Sequence, residues 1–275
     1  MTHSMDTAFL QSLDIDQYPV DPHYARELRK IFGERFLREL SDEEKAELRK
    51  VTFAPLLFGN RSGSNLLTDC LHRAGLGFPE HGEPMNLPSI EKIAARHDIT
   101  TFTDYVLFLV RRWQRHELVG FKISVSQLFD LTRTGLVHHF KDIKLLHSVR
   151  HDRLAQAVSH YIAKASGNWS TKGGESVTAD PPYSAADILR FLRRGARLEA
   201  DYHLYRTIHG VAGMEVWYEE LVADTRMTIE SAAAFLDCPA DLTKVDLSGA
   251  ATKPQSRQLN QEFAERFRAE LRMTD

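Results

Sequence analysis

Cysteine is scarce in this chain: Cys70 and Cys238 are the only two among 275 residues. A disulfide framework is thereby excluded as the main source of stability. Both cysteines fall in apolar, helix-like settings, so buried free thiols in a reducing compartment, the cytoplasm, are expected. Long apolar runs are missing as well. None approaches the roughly 18 residues that a membrane span requires, and the acidic residues 1–18 lack the apolar core of a signal peptide. Basic excess is absent too. A net charge of −3 and a pI near 6.5 leave no electrostatic footprint for nucleic acid. Histidine is plentiful, with thirteen residues, but His138-His139, His147, His151 and His160 lack tight ligand spacing with Cys or Asp, so no metal site is expected.

What remains is the composition of a globular domain, 43% hydrophobic and 27% charged. Four apolar segments read as buried strands: 51–58, 118–124, 143–149 and the shorter 214–217. Between them run helical patterns over 65–74, 103–116, 152–165 (with Asp152 as its cap), 184–208 and 225–236. Strands alternating with helices imply an α/β fold, a mostly parallel sheet with helices on both sides. Its ligands then belong beyond the carboxyl ends of the strands. Residues 1–50 are densely charged, and Ser41-Asp-Glu-Glu-Lys45 reads as a capped helix start. They are expected to form a helical N-terminal extension, with 51–275 as the α/β domain. Residues 167–182, rich in Gly, Pro and small polar residues, read as a long loop or lid.

The most informative segment is Phe58-Gly-Asn-Arg-Ser-Gly-Ser-Asn-Leu-Leu-Thr68, where the first strand turns into a helix. Such a junction collects free backbone N–H groups, the hydroxyls of Ser62 and Ser64 and the Arg61 guanidinium around one anion-sized space, with the helix dipole in favour. Phosphate or sulfate suits that space. A Mg·NTP loop of the form G-x-x-x-x-G-K-S/T is not present, because the lysine is missing and the loop is shorter. A tight turn that merely uses Gly63 and two serines as caps is the alternative. The second constellation is His147-Ser-Val-Arg150-His-Asp-Arg-Leu-Ala-Gln-Ala-Val-Ser159. An arginine fork ending a strand and a hydroxyl on the next helix suit a phosphate monoester. An ordinary strand-end arginine and a solvated serine would look the same.

Taken together, the two segments resemble the bacterial carbohydrate sulfotransferases of the trehalose 2-sulfotransferase type. There an R-S/T-G-S-x-L-L loop binds a 5′-phosphosulfate, and an arginine followed by Q-A-V-S binds the 3′-phosphate of the donor, 3′-phosphoadenosine 5′-phosphosulfate. The matching elements are Arg61-Ser-Gly-Ser-Asn-Leu-Leu67 and Arg150 through Gln156-Ala-Val-Ser159. Further likeness runs through Gly120-Phe-Lys122, Gly167-Asn-Trp-Ser170 and Tyr218-Glu-Glu-Leu-Val-Ala-Asp224, so that the resemblance covers residues 52–240. It implies a three-layer, P-loop-like fold and an enzyme that needs no metal. It implies a donor site formed by Arg61, Ser62, Gly63, Ser64, Asn65, Leu66, Arg150 and Ser159, with Trp169 bordering nucleotide or acceptor. Small-molecule, carbohydrate or glycolipid acceptors and pairing as homodimers are implied in the same way.

The resemblance also implies a catalytic glutamate in Gly77-Phe-Pro-Glu80-His-Gly-Glu83-Pro-Met-Asn-Leu-Pro88. Glu83 is the preferred base, because Glu-Pro-Met-Asn-Leu-Pro looks like the family's stretch after its glutamate. Glu80, which follows Pro79, is the competitor. The expected reaction is in-line sulfuryl transfer to a hydroxyl, with the carboxylate removing its proton and Arg61 stabilising charge on the departing phosphate. A nucleotide or small-molecule kinase of the same topology and a non-catalytic adenine-nucleotide-binding protein are the alternatives.

Overall fold

The computed structural model describes residues 22–33, 36–80, 82–167, 169, 180–245 and 258–271. The first part of the expected N-terminal extension (1–21) and most of the expected loop at 167–182 lie outside the described residues, as does His81. The chain begins with α1 (Pro22–Phe32) and α2 (Asp42–Leu48), followed by β1 (Thr52–Phe58) and α3 (Ser64–Arg73). Next come α4 (Leu87–Arg96), α5 (Phe102–Trp113), β2 (Leu118–Ile123), α6 (Val125–Arg133) and β3 (Asp142–Val149). The remainder is α7 (Arg153–Ser166), α8 (Ala185–His209), β4 (Ala212–Trp217), α9 (Tyr218–Ala223), α10 (Thr225–Phe235) and α11 (Gln258–Leu271). No helix among the described residues is long and apolar enough to cross a membrane.

The four strands form one parallel sheet in the order β2-β1-β3-β4. Alternation along each strand sorts side chains between two apolar layers, as the period of a strand requires. Phe53, Leu57, Val119, Phe121, Ile123 and Leu145 enter one core together with α1, α4, α5 and α6. Ala54, Leu56, Leu118, Leu146 and Val216 enter the other, against α3 and α10. A third apolar cluster joins α7, α8 and α11. This is the three-layer α/β arrangement expected from the alternation of strands and helices. Charged though it is, the N-terminal segment contributes Tyr24, Leu28 and Phe32 to the main core. Its second helix starts with the expected capping box: Ser41 Oγ accepts from Glu44 N, and Glu44 in turn accepts from Ser41 N.

β1 is central, yet it contains Pro55, which has no N–H to donate to a ladder. Pairing with β2 continues through it, Pro55 lying opposite Phe121. On the β3 side the paired positions are 52 and 53, then 56 to 58, leaving Ala54 and Pro55 out. Helix caps follow the sequence closely. Asp152 caps α7 by accepting from Ala155 N, and Ser184 caps α8 by accepting from Asp187 N.

One glycine positions the loop that leads to the functional site. Gly120, in β2, donates its N–H to the Gly77 carbonyl at 3.0 Å, and a Cβ at this position would overlap the Phe78 ring. Phe78 therefore packs its ring tip against β2 at Gly120, which anchors the chain leading to Glu83. Gly120→Val should displace that ring and lower stability by about 1–3 kcal/mol, the usual cost of overpacking. The check is a lower urea midpoint with an unchanged slope.

Candidate active site

β1 ends at Phe58, and the chain turns into α3 within a few residues. Arg61 and Gly63 both adopt positive φ, 65° and 92°. Gly63 is the N-cap of α3 and supplies no side-chain cap, so the N–H groups of the first turn stay available to an outside acceptor. Tyr218, the first residue of α9, packs where a Cβ of residue 63 would stand. Glycine is needed here for conformation and for space.

The serines of the loop divide their roles. Ser62 is fully buried; its hydroxyl donates to Ser148 Oγ at 3.1 Å, and Ser148 Oγ donates to the Ser62 carbonyl at 3.2 Å. The hydroxyl expected at the anion site thus fastens the loop to β3 instead, because a buried hydroxyl must find its partner inside the protein. Leu66 likewise turns its side chain into the core beneath α3. Only its backbone remains to serve a ligand.

Two guanidinium groups meet above this helix end. Arg61 Nε donates to Ser159 Oγ at 3.0 Å and its Nη1 to the Trp169 carbonyl at 3.1 Å. Arg150 Nη1 approaches the Arg61 carbonyl at 3.4 Å, its guanidinium lies 4.6 Å above the Tyr218 ring, and its Nε is 3.7 Å from Glu219. Burial, and then the charge of Arg150, depress the Arg61 pKa, although an arginine stays cationic. Two cations beside a helix N-terminus favour an anion in that space. Arg61, Arg150 and Ser159, distant in sequence, are brought together as expected, and Trp169 joins them through its carbonyl. Its ring meets His160 edge-on at 5.8 Å.

A residue to which the sequence reading assigned no role links this anion site to the glutamates. Lys122 projects from β2 on the same face as Gly120 and is only 2% exposed. Its ammonium donates to Asn65 Oδ1, in the first turn of α3, at 2.6 Å and to Glu83 Oε1 at 2.8 Å. It also sits 4.4 Å from the centre of the Phe58 ring. Burial depresses the Lys122 pKa, and the Glu83 carboxylate opposes that shift. Asn86 Nδ2 donates to the other Glu83 oxygen. Glu80 is exposed. The Gly-Phe-Lys tripeptide was the available signal: a lysine inside an apolar strand must be paired when the strand is buried.

Glu83 also lines a cavity of about 360 Å³ beyond the carboxyl ends of β1 and β3, walled by α6, α7 and α8. Asn60, Asn86, Ser124, Ser126, Gln127 and Gln156 are among its polar lining residues. Gln156 Nε2 donates to the Asn60 carbonyl at 3.0 Å, and the Asn60 amide is 3.1 Å from His160 Nε2. Across the wall, Arg153 pairs with Glu199 at 2.9 Å. Burial, then Arg194 and Arg61, push His160 down to about 4. His160 is therefore neutral near pH 7, with Nε2 free to accept from Asn60. Among the described residues no cluster of three metal-ligating side chains occurs.

Residues 111–270, more than half of the chain, match the family model described as Stf0 sulphotransferase. The chain belongs to the Stf0 sulphotransferase family. The chain is therefore a sulfotransferase. The match spans Lys122, Arg150 and Ser159 and starts beyond Arg61 and Glu83. No curated protein matches the chain. Among solved structures, it is similar to the sulfotransferase domain of the Synechococcus PCC 7002 olefin synthase. That likeness has 18% identity over 82% of this chain and 88% of the other, at a TM-score of 0.46. The mouse sulfotransferase SULT7A1 complexed with PAP is 13% identical over 90% and 92%, at 0.42. A sulfotransferase from Alicyclobacillus acidocaldarius is 15% identical over 80% and 92%, also at 0.42.

The buried histidines make stability depend on pH. His160 and His147 sit at about 4 and about 3, below the ordinary 6.5. The unfolded chain therefore binds protons in that window that the folded chain refuses. Stability should be full above about pH 6.5 and fall as pH drops toward 4 and below. Urea midpoints at neutral and acidic pH check this, and His160→Gln should fall less steeply than the wild type.

Proposed function

We propose that the protein transfers the sulfuryl group of 3′-phosphoadenosine 5′-phosphosulfate to a hydroxyl of a carbohydrate or glycolipid, in line, with Glu83 as general base. The observation that carries this reading is the path Asn65–Lys122–Glu83. It puts a carboxylate two hydrogen bonds away from the helix turn that faces Arg61 and Arg150. The acceptor oxygen forms a bond to sulfur while the bond from sulfur to the bridging phosphate oxygen breaks. The departing electron pair goes to that phosphate oxygen, where Arg61 and the N–H groups of the α3 first turn stabilise it. The acceptor proton goes to Glu83. Arg150 and Ser159 hold the 3′-phosphate. Supporting Glu83 over Glu80 is its place on the cavity wall with both carboxylate oxygens engaged. The amide and hydroxyl side chains around the cavity match the hydrogen-bonding demand of a polyhydroxylated acceptor.

Glu83→Gln should lower kcat by about 10²–10⁴-fold, the usual worth of a positioned base, with affinity for 3′-phosphoadenosine 5′-phosphate near wild type. Full turnover in that variant together with loss in Glu80→Gln would transfer the role to Glu80. Arg150→Ala should weaken binding of the same nucleotide by removing a charge-assisted contact. Calorimetric titration reads this, with ADP as the control lacking the 3′-phosphate. Tight binding of Mg·ATP in its place would favour a kinase.

A further inference from the structure

His147 has no part in the chemistry outlined above, yet it is among the least comfortable side chains in the molecule. It lies near the carboxyl end of β3 and is 3% exposed. Tyr202 of α8 stacks on it with ring centres 4.3 Å apart. No described residue hydrogen-bonds its ring, and Nδ1 is enclosed without a partner. Burial, followed by the charges of His203 and Arg153, pushes it down to about 3. It is therefore a neutral imidazole near pH 7, carrying one N–H and one lone pair for which the described residues offer no partner. Buried polar groups are normally satisfied, and one that is not calls for a ligand or an ordered water.

The surroundings point to a ligand. His147 contributes to the wall of the same cavity that Glu83 lines. Phe191, Gly195, Leu198 and Glu199 of α8 form the adjoining wall, and Tyr202, on the next turn of that helix, backs the imidazole. A hydroxyl is the complementary group, since it donates to the lone pair or accepts from the N–H without carrying charge into the cavity.

We propose that His147 is a specificity-determining residue in the wall of the acceptor cavity, hydrogen-bonding a second hydroxyl of the acceptor while Glu83 faces the one that is sulfated. The proposal rests on the reading of this cavity as the acceptor site. It goes beyond that reading in naming which group this part of the wall recognises. An acceptor lacking that hydroxyl leaves the imidazole buried and unpaired, and sites of this kind reject such analogues strongly.

The test uses His147→Phe, which keeps the stack on Tyr202 and removes both polar ring atoms. Its melting temperature should equal or exceed that of wild type, because an unsatisfied buried group has been deleted. A fall of several degrees would show that the ring is needed for packing and would overturn the proposal. With radiolabelled donor and a panel of methyl glycosides, disaccharides and octyl glucoside, KM for the sugar that wild type sulfates should rise at least about tenfold. Its kcat should change far less, and affinity for 3′-phosphoadenosine 5′-phosphate should stay the same. An unchanged KM would remove His147 from recognition. If wild type sulfates none of the panel, the carbohydrate reading falls by itself. The melting comparison then still decides on His147, a rise supporting it and a fall overturning it.

Discussion

An ammonium group cannot be left in an apolar layer without a partner, and much of the active-site geometry follows from how Lys122 is accommodated. The strand that carries it is buried along its whole length, so its charge has to be neutralised from above the sheet. Glu83 supplies the opposite charge and Asn65 a carbonyl oxygen. Glu83 is reached by a loop, Asn65 sits on the first turn of the helix after β1, and Lys122 is on the neighbouring strand. Three segments from separate parts of the chain are therefore fixed relative to one another by one nitrogen. The carboxylate that faces the cavity is oriented by a core requirement, which holds it in place before any substrate arrives.

The two arginines near the start of α3 are placed on the opposite principle. Arg61 and Arg150 repel, and Arg61 is desolvated as well. Neutral groups, Ser159 Oγ and the Trp169 carbonyl, hold Arg61 in this position. Glu219 stands at the far side of Arg150. A doubly charged anion bound beside both arginines would relieve their repulsion. Lys122 meets its carboxylate at 2.8 Å, whereas Arg150 stands 3.7 Å from Glu219.

The fold was legible because period and capping agreed. Ser41 and Asp152 cap the helices read from them, and all four strands lie where the apolar runs stand. Helices α4, α6, α9 and α11 were not read from the sequence. In α6 the signal was present: Ser124 and Gln127 form a reciprocal capping box, but the apolar strand before it runs straight into the helix and masks the change of period. The pairing of Arg61 with Ser159 was accessible only as a resemblance, since no spacing rule connects residues on different elements. Ser62 illustrates the converse. Its type suited an anion loop, but burial against β3 turned its hydroxyl inward. Lys122 was visible as a lysine among apolar neighbours, whereas its partners depend on how the Phe78 loop crosses β2.

The ring of Tyr218 against Gly63 bears on the order in which the molecule becomes competent. Gly63 belongs to the first strand–helix turn, and Tyr218 follows β4, which among the described strands pairs with β3 alone. A nascent chain that has completed β1 and α3 still lacks the surface that shapes its own anion loop. Closing that contact spans most of the chain, so it comes late in any sequence of events governed by loop-closure entropy. The same dependence runs in reverse: partial detachment of the β4 edge would loosen the loop at the far end of the sequence while the main core stayed intact.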